Sequence, residues 1–180
     1  MFEKNHKIKN KIKIRSLVFT SLMIALSVII GLICKRFLTF GAIRITLENL
    51  PVLLAGFLLG PIYGAVAGAS ADMISAPLSG FGINPIITVG AASIGAVAGL
   101  FSRYIIKRKE FLAILISTLS AHAVGSMLIK SVGLWLSGYA FQLCLLRIPL
   151  YLVIGTLEAY LAFVVLKNNR MQTLTKGALK

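Results

Sequence analysis

The sequence predicts an all-α integral membrane protein, a compact bundle of six transmembrane helices whose N and C termini are both cytoplasmic. Hydrophobic residues make up 58% of the 180-residue chain and charged residues only 13%, and the mean hydropathy is +0.91. Soluble domains carry roughly twice that share of charge. A helix of ~20 apolar residues crosses the hydrocarbon core of a bilayer, so a chain of this length supplies about six such helices and little else. We therefore expect a multi-pass protein of the cell membrane.

The chain divides into three predicted regions. Residues 1–15 form a basic cytoplasmic N-terminal tail, residues 16–166 the six-helix membrane domain, and residues 167–180 a cytoplasmic C-terminal tail. The first apolar run, 17–34, follows basic residues as the apolar core of a signal peptide does. It is followed by Lys35-Arg36 and not by a small-residue cleavage site, so we predict a retained first helix.

Glycine and proline mark the ends of the later helices. Gly60-Pro61 separates helix 2 from helix 3, Pro77 is expected to end helix 3, and Pro85 suits the first turn of helix 4, where the missing N–H has no helical partner. The predicted bounds are about 48–59 for helix 2, 61–76 for helix 3, 85–106 for helix 4, 111–136 for helix 5 and 141–166 for helix 6.

The distribution of positive charge orients this bundle. Fourteen of the nineteen Lys and Arg residues lie in the N-terminal tail, in the loop between helices 4 and 5, and in the C-terminal tail. Six helices place these three segments on one side, which the positive-inside rule assigns to the cytoplasm. The net charge of +14 is thus typical of a membrane protein with basic cytoplasmic ends, and we expect no nucleic-acid partner.

The other five cations are predicted on the external side. Ionisable groups there commonly mark a ligand or ion pathway, although long cationic side chains also reach lipid headgroups. Both interpretations stay open for Lys35 and Lys130. The ligand interpretation is favoured for Arg44 and Arg147, because each lies beside a helix-start residue. The five cations together predict that an anionic ligand binds from outside. They are Lys35, Arg36, Arg44, Lys130 and Arg147.

Two glycine-rich external segments resemble binding loops. "SGFGINP" (79–85) and "SGYAFQ" (137–142) each combine an aromatic residue with a side-chain amide. Small-molecule sites use aromatic walls with a few polar groups, whereas the alternative is that both segments are plain turns. The candidate residues from these loops are Phe81, Asn84, Tyr139 and Gln142.

Small residues recur at a spacing of four. Gly64-x3-Gly68 and Gly95-x3-Gly99 predict close helix packing, because small residues let helix backbones approach in lipid. Ser21-x3-Ala25 in helix 1 is a weaker patch of the same kind, which packs internally or docks a partner subunit.

Few residues could perform chemistry. The intramembrane titratable candidates are Asp72, His122 and Glu158, and no P-loop, zinc-binding HExxH or nucleophile elbow is present. Cys34 and Cys144 lack metal-binding spacing, and they form either a disulfide or two buried free thiols. We therefore expect no enzyme, no metal site and no cofactor. A self-sufficient secondary transporter, with Asp72 or Glu158 carrying a coupling proton, is an alternative, but no inverted repeat is readable.

Two longer stretches resemble a known family. "LPVLLAGFLLGPIYGAVAGASADMISAPLSG" and "LRIPLYLVIG", together with a basic N-terminus and six short helices, are similar to the S-components of energy-coupling-factor (ECF) vitamin transporters, of the folate type. The resemblance covers residues 16–166. It includes a Gly-Pro turn between helices 2 and 3, an Asp near the end of helix 3 and an Arg-x-Pro that opens helix 6.

The resemblance implies a high-affinity vitamin-binding subunit in the lipid bilayer. It would capture its ligand from outside beneath the loop between helices 1 and 2, and join a transmembrane coupling subunit and two cytoplasmic ATPase subunits that hydrolyse ATP. Ser21-x3-Ala25 would be the docking motif, although it continues to Ile29 and not to a small residue. Pantothenate and a hydroxymethylpyrimidine are alternatives to folate as the ligand.

Folate also fits the external charges. Its glutamate tail is a dianion, which guanidinium groups bind bidentately, and its pterin is a flat ring with donors and acceptors on its edge. The substrate-binding residues predicted on this basis are Arg36, Arg44, Glu48, Asp72, Phe81, Asn84, Tyr139, Gln142 and Arg147. Arg44 is expected to reach the tail from the helix 1–2 loop, which Gly41 allows to bend.

Overall fold

A computed structural model of the chain describes residues 2–40, 43–104 and 110–168. Gly41, three cations of the helix 4–5 loop and residues 169–180 of the predicted C-terminal tail lie outside these ranges. The predicted division into tails and membrane domain therefore stays a prediction.

The described residues form six helices, which confirms the predicted all-α bundle. They are α1 (Phe2–Phe37), α2 (Asn49–Leu59), α3 (Pro61–Leu78), α4 (Pro85–Tyr104), α5 (Phe111–Leu136) and α6 (Phe141–Lys167). Four segments within them are long and apolar enough to cross a membrane, namely Ile14–Phe37, Pro85–Ser102, Phe111–Leu136 and Phe141–Lys167. The chain is thus a multi-pass membrane protein.

Three local features differ from the prediction. A short antiparallel hairpin, β1 (Thr39–Phe40) and β2 (Ile43–Arg44), follows α1. Helix α3 continues past Pro77 to Leu78, because helical bonding resumes at once, with the Ser79 N–H 3.1 Å from the Ser75 carbonyl oxygen. Helix α5 contains a π-helical segment, Ala123–Ile129.

Helix α2 lies at the centre of the bundle. It has only 11 residues, too few to span a bilayer, and nearly all of them are buried, with Leu53 and Ala55 fully enclosed. A helix that is apolar on every side is stable only when it is surrounded. Helices α1, α3 and α4 pack around it and supply that surrounding.

The predicted close packing of small residues is confirmed between α3 and α4. A side chain at Gly64 or Gly95 would overlap the backbone of the other residue, and one at Gly68 would overlap the backbone of Ala91. Gly99 approaches the Gly60-Pro61 turn in the same way. These contacts hold the first half of α3 against the middle and second half of α4, and the other ends of both helices border the site described next.

The core also contains a polar pair that links α5 to α6. His122 Nε2 lies 2.6 Å from Glu158 Oε2, both side chains are fully buried, and His122 Nδ1 lies 3.1 Å from Ser126 Oγ. These two candidates for chemistry are therefore bonded to each other, 36 residues apart along the chain.

Candidate functional site

A cavity opens at the end of the bundle where α1 and α3 finish and α4 and α6 begin. Its volume is about 410 Å³, within the usual range for small-molecule sites, and its lining comes from α1, α3, α4, α5, α6 and the connecting loops. The charge prediction assigns this end to the outside of the cell. We describe its wall in three parts: acidic, cationic and aromatic.

The acidic wall consists of Glu48, which precedes α2, and Asp72 on α3. Glu48 Oε2 lies 3.4 Å from Lys35 Nζ, which also donates to Ser75 Oγ at 3.3 Å. Asp72 Oδ2 accepts a hydrogen bond from Thr88 Oγ1 at 2.7 Å. The two carboxylates are thus positioned by three helices and can accept hydrogen bonds from a ligand's N–H groups.

Helix α1 holds Glu48 in place. Ser27 Oγ donates to the Glu48 carbonyl oxygen at 2.6 Å, and a Cβ at Gly31 would lie 2.6 Å from Glu48 Oε2. A side chain at position 31 would therefore displace this carboxylate. The Arg44 side chain is outside the described part of the structure, in which Lys35 forms the ion pair with Glu48.

The cationic wall consists of Lys130 on α5 and Arg147 on α6. Arg147 Nη2 lies 3.4 Å from the Tyr151 hydroxyl, and the guanidinium carbon lies 5.1 Å from the Tyr151 ring centroid. Arg147 Nε is buried and has no hydrogen-bond partner. Lys130 is only 6% exposed, and within the described ranges it has no hydrogen bond or ion pair. Buried cations are costly unless an anion joins them.

Tyr151 connects the cationic wall to the core. Its ring stacks on His122 with centroids 5.4 Å apart and planes inclined by 29°, and His122 is in turn bonded to Glu158. The ring below Arg147 is therefore held by fully buried neighbours.

The aromatic wall is formed by Phe81 and Tyr139, which lie on the two glycine-rich loops and are 40% and 43% exposed. Asn84 joins these loops, because its Nδ2 donates to Ser137 Oγ at 2.8 Å. Its Oδ1 accepts the Ile86 N–H at 3.0 Å at the start of α4. Asn84 therefore lines the cavity and also performs the turn-forming role that the sequence left open.

The cavity brings together six of the nine predicted binding residues: Glu48, Asp72, Phe81, Asn84, Tyr139 and Arg147. Arg36 and Gln142 are exposed and do not line it, and Arg44 lies in β2 with its side chain outside the described structure. Ser21 and Ala25 are exposed on α1. Contact of any of these residues with a ligand or a partner remains a prediction.

The sequence left open whether Lys35 and Lys130 face a ligand or lipid headgroups, and both line the cavity. It did not identify Thr46, Tyr151 and Cys144 as lining residues. Tyr151 had a usable signal, since it follows Arg147 by four residues and so shares its helix face. Lys130 also had one, as an isolated lysine within the apolar sequence of α5. Cys34 and Cys144 are both free and buried, which decides between the two alternatives for the thiols.

Two solved structures have the same fold. A FolT bound with folic acid matches with a TM-score of 0.65 and 21% identity over 83% of this chain and 90% of that one. The S-component for biotin from an ECF-type ABC transporter matches with a TM-score of 0.62 and 21% identity over 92% of this chain and 98% of that one. At this identity the likeness concerns the fold alone.

Two sequence comparisons complete the assignment. The uncharacterized MG098 homolog of Mycoplasma pneumoniae is 29% identical over 114 residues, 58% of this chain, and the match spans only 24% of that relative's length. The family model described as "ECF transporter, substrate-specific component" matches residues 15–175. The chain therefore belongs to the family of ECF transporter substrate-specific components, which are subunits that bind a transported substrate and not enzymes.

Proposed function

We propose that this chain is the high-affinity folate-binding subunit of an ATP-driven ECF importer. One observation carries the choice of ligand: a single cavity combines an acidic wall with two cations, the buried Lys130 and the partly buried Arg147, that form no salt bridge in the described structure. Folate carries complementary groups, a pterin whose edge donates hydrogen bonds and a glutamate tail with two carboxylates.

The aromatic wall supports the same ligand. Phe81 and Tyr139 offer flat faces to a fused ring, while Glu48 and Asp72 can accept hydrogen bonds from its amino and ring N–H groups. A carboxylate that accepts such bonds contributes about 1.5–3 kcal/mol per bond. The FolT structure bound with folic acid has the same fold, which makes this ligand sterically reasonable for the architecture.

Biotin is the second candidate, because an S-component for biotin also shares the fold. Biotin has one carboxylate and a small ureido ring, so it would engage one cationic group and leave the broad aromatic wall partly uncovered. Pantothenate has no flat ring, and a hydroxymethylpyrimidine has no carboxylate. Each of these ligands uses fewer of the cavity's features than folate does.

The binding test is a calorimetric titration of the detergent-purified chain with folate, biotin and pantothenate. Folate should release heat and raise the thermal midpoint, since a ligand at 100-fold its dissociation constant adds ~2.7 kcal/mol when it binds only the folded state. A response to biotin or pantothenate with none to folate would reassign the ligand.

The transport mechanism is proposed from the family. The chain would bind folate from outside and be driven by a coupling subunit and two cytoplasmic ATPases that dock on the Ser21 and Ala25 face of α1. Reconstituted alone in vesicles, it should bind folate but not accumulate it, with or without ATP. Accumulation driven by a proton gradient in vesicles that contain this chain alone would support the secondary-transporter alternative instead.

A further inference from the structure

We propose that Lys130 and Arg147 together form a carboxylate site at the α5–α6 side of the cavity, and that the π-helical segment of α5 directs Lys130 into it. The proposal deepens the proposed function, on which its choice of ligand rests. It assigns the acidic end of the ligand to Lys130 and Arg147 and its hydrogen-bond-donating ring to the wall of Glu48 and Asp72.

The first evidence is the environment of Lys130. Lys130 is the only Asp, Glu, Lys or Arg residue in α5, and it is 6% exposed. A lysine that reached lipid headgroups would expose its amine, so the headgroup interpretation of Lys130 is wrong. The described chain gives Lys130 no hydrogen bond or ion pair, and Lys130 lines the cavity. Glu158 interacts with it electrostatically from the core without an ion-pair contact, so an anion brought by a ligand would stabilise the ammonium group further.

The second evidence is the backbone geometry. The Lys130 N–H bonds to the Gly125 carbonyl, and Ser131 Oγ donates to the Ser126 carbonyl oxygen at 3.3 Å, both five residues back. A π-helical turn holds one residue more than an α-helical turn, and each residue rotates a helix by ~100°. The residues of α5 after the segment are therefore rotated about the helix axis by about one residue position. This lets one helix present His122 to the core and Lys130 to the cavity.

The third evidence lies on the neighbouring helix. A Cβ at Gly90 of α4 would lie 2.6 Å from Lys130 Cγ and 3.0 Å from the Gly125 carbonyl oxygen. Because Gly90 has no side chain, the aliphatic part of the Lys130 side chain can pass across α4 at this position. Gly90 and the π-helical segment are separate features of the chain, and both position the same side chain.

Arg147 supplies the second cation from α6. Its guanidinium lies against the Tyr151 ring, which His122 supports from below, and its Nε has no hydrogen-bond partner. The group is thus oriented before the ligand arrives, and it retains donors for a carboxylate. Because Glu48 and Asp72 repel a carboxylate from the other wall, the ligand is held in one orientation.

The test compares Lys130→Met with Lys167→Met, a matched loss of one lysine at the far end of α6, where the side chain is exposed. Two ligands are titrated: folate, and a pterin that lacks the benzoyl-glutamate tail. Lys130→Met should weaken folate binding at least tenfold and change pterin binding less than twofold. It should also raise the thermal midpoint of the ligand-free protein, because a buried charge without a partner has been removed. Lys167→Met should change neither affinity.

Equal losses for both ligands, or unchanged folate affinity, would overturn the proposal. So would a fall in the ligand-free thermal midpoint of Lys130→Met, which would mark the lysine as structural. If this variant does not fold, Arg147→Met on α6 provides the same folate-selective comparison.

The proposed function and this inference fail differently. If the unsubstituted chain does not bind folate, the ligand assignment is wrong, and the carboxylate site is then tested with biotin and pantothenate. A tenfold loss of either acid in Lys130→Met would support the site. Retention of both affinities would overturn it.

Discussion

Substitution of Gly95 by alanine tests how closely α3 and α4 must pack. The added methyl group would overlap the backbone of Gly64, and even the Gly64 Cα atom would lie only 2.8 Å away. These obstacles are backbone atoms, so no side-chain rotation relieves the overlap. The two helices must separate until the contact returns to an ordinary van der Waals distance.

The expected cost follows from this geometry. Inserting one methyl group into a well-packed interior costs about 1–3 kcal/mol, and the absence of a flexible neighbour places Gly95→Ala in the upper half of that range. For a protein of this length a loss of 1 kcal/mol lowers the thermal midpoint by about 2–4 °C. We therefore expect a decrease of roughly 4–12 °C, from a loss of about 2–3 kcal/mol.

The assay is the thermal midpoint of the detergent-purified protein without ligand. Gly82→Ala is the matched control, because a Cβ there meets no atom within 4 Å. The control should melt within about 2 °C of the parent, since open surface substitutions change stability by less than ~0.5 kcal/mol. Equal midpoints for Gly95→Ala and the parent would refute the close packing, and equal losses in both variants would assign the effect to something other than this contact.

Three further experiments test other parts of the structure. Glu158→Leu removes one partner of a fully buried pair and should cost about 3–5 kcal/mol of stability, whereas the double variant with His122→Leu should recover much of the loss in the same thermal assay. Cys144 lines the cavity, so in a Cys34→Ala background folate should slow its alkylation by a small thiol reagent, and equal rates with and without folate would contradict the cavity assignment. Gly31→Ala pushes against Glu48 and should weaken binding of folate and of the tail-free pterin by similar factors, measured by titration.

Much of the bundle was predictable because the bilayer constrains it. Apolar length and proline placement located α5 at its observed bounds and separated α2 from α3 at Gly60-Pro61. The glycine spacing likewise located the α3–α4 contact. The hairpin after α1 was not predictable, because each of its strands has only two residues and no alternating pattern can be read over that length.

The composition of the site was more predictable than its geometry. Six of the nine residues predicted to bind a ligand line one cavity, including Phe81, Tyr139 and Arg147, and their contact with a ligand stays a prediction. The direction in which Lys130 points depends on the rotation of α5 about its axis. The π-helical segment changes this rotation, and no residue pattern in the sequence predicts such a segment. The His122–Glu158 pair depends on the packing of α5 on α6, so neither residue alone indicates the other.

Helix α1 links the acidic wall to the surface of the bundle. Ser27, Gly31 and Lys35 are spaced by four residues, share one face, and all contact Glu48 through its carbonyl oxygen or its carboxylate. Ser21 and Ala25 lie on a different face of the same helix and are exposed. If the coupling subunit docks on that exposed face, any shift of α1 is transmitted to Glu48 directly, because Ser27 and Lys35 of α1 contact Glu48. A displacement of about 1 Å would lengthen the 3.4 Å Lys35–Glu48 contact beyond ion-pair range, and weaken it further where water enters. Docking of a partner on α1 would then change the ligand cavity through the same helix. An importer driven by separate ATPase subunits requires a coupling of this kind.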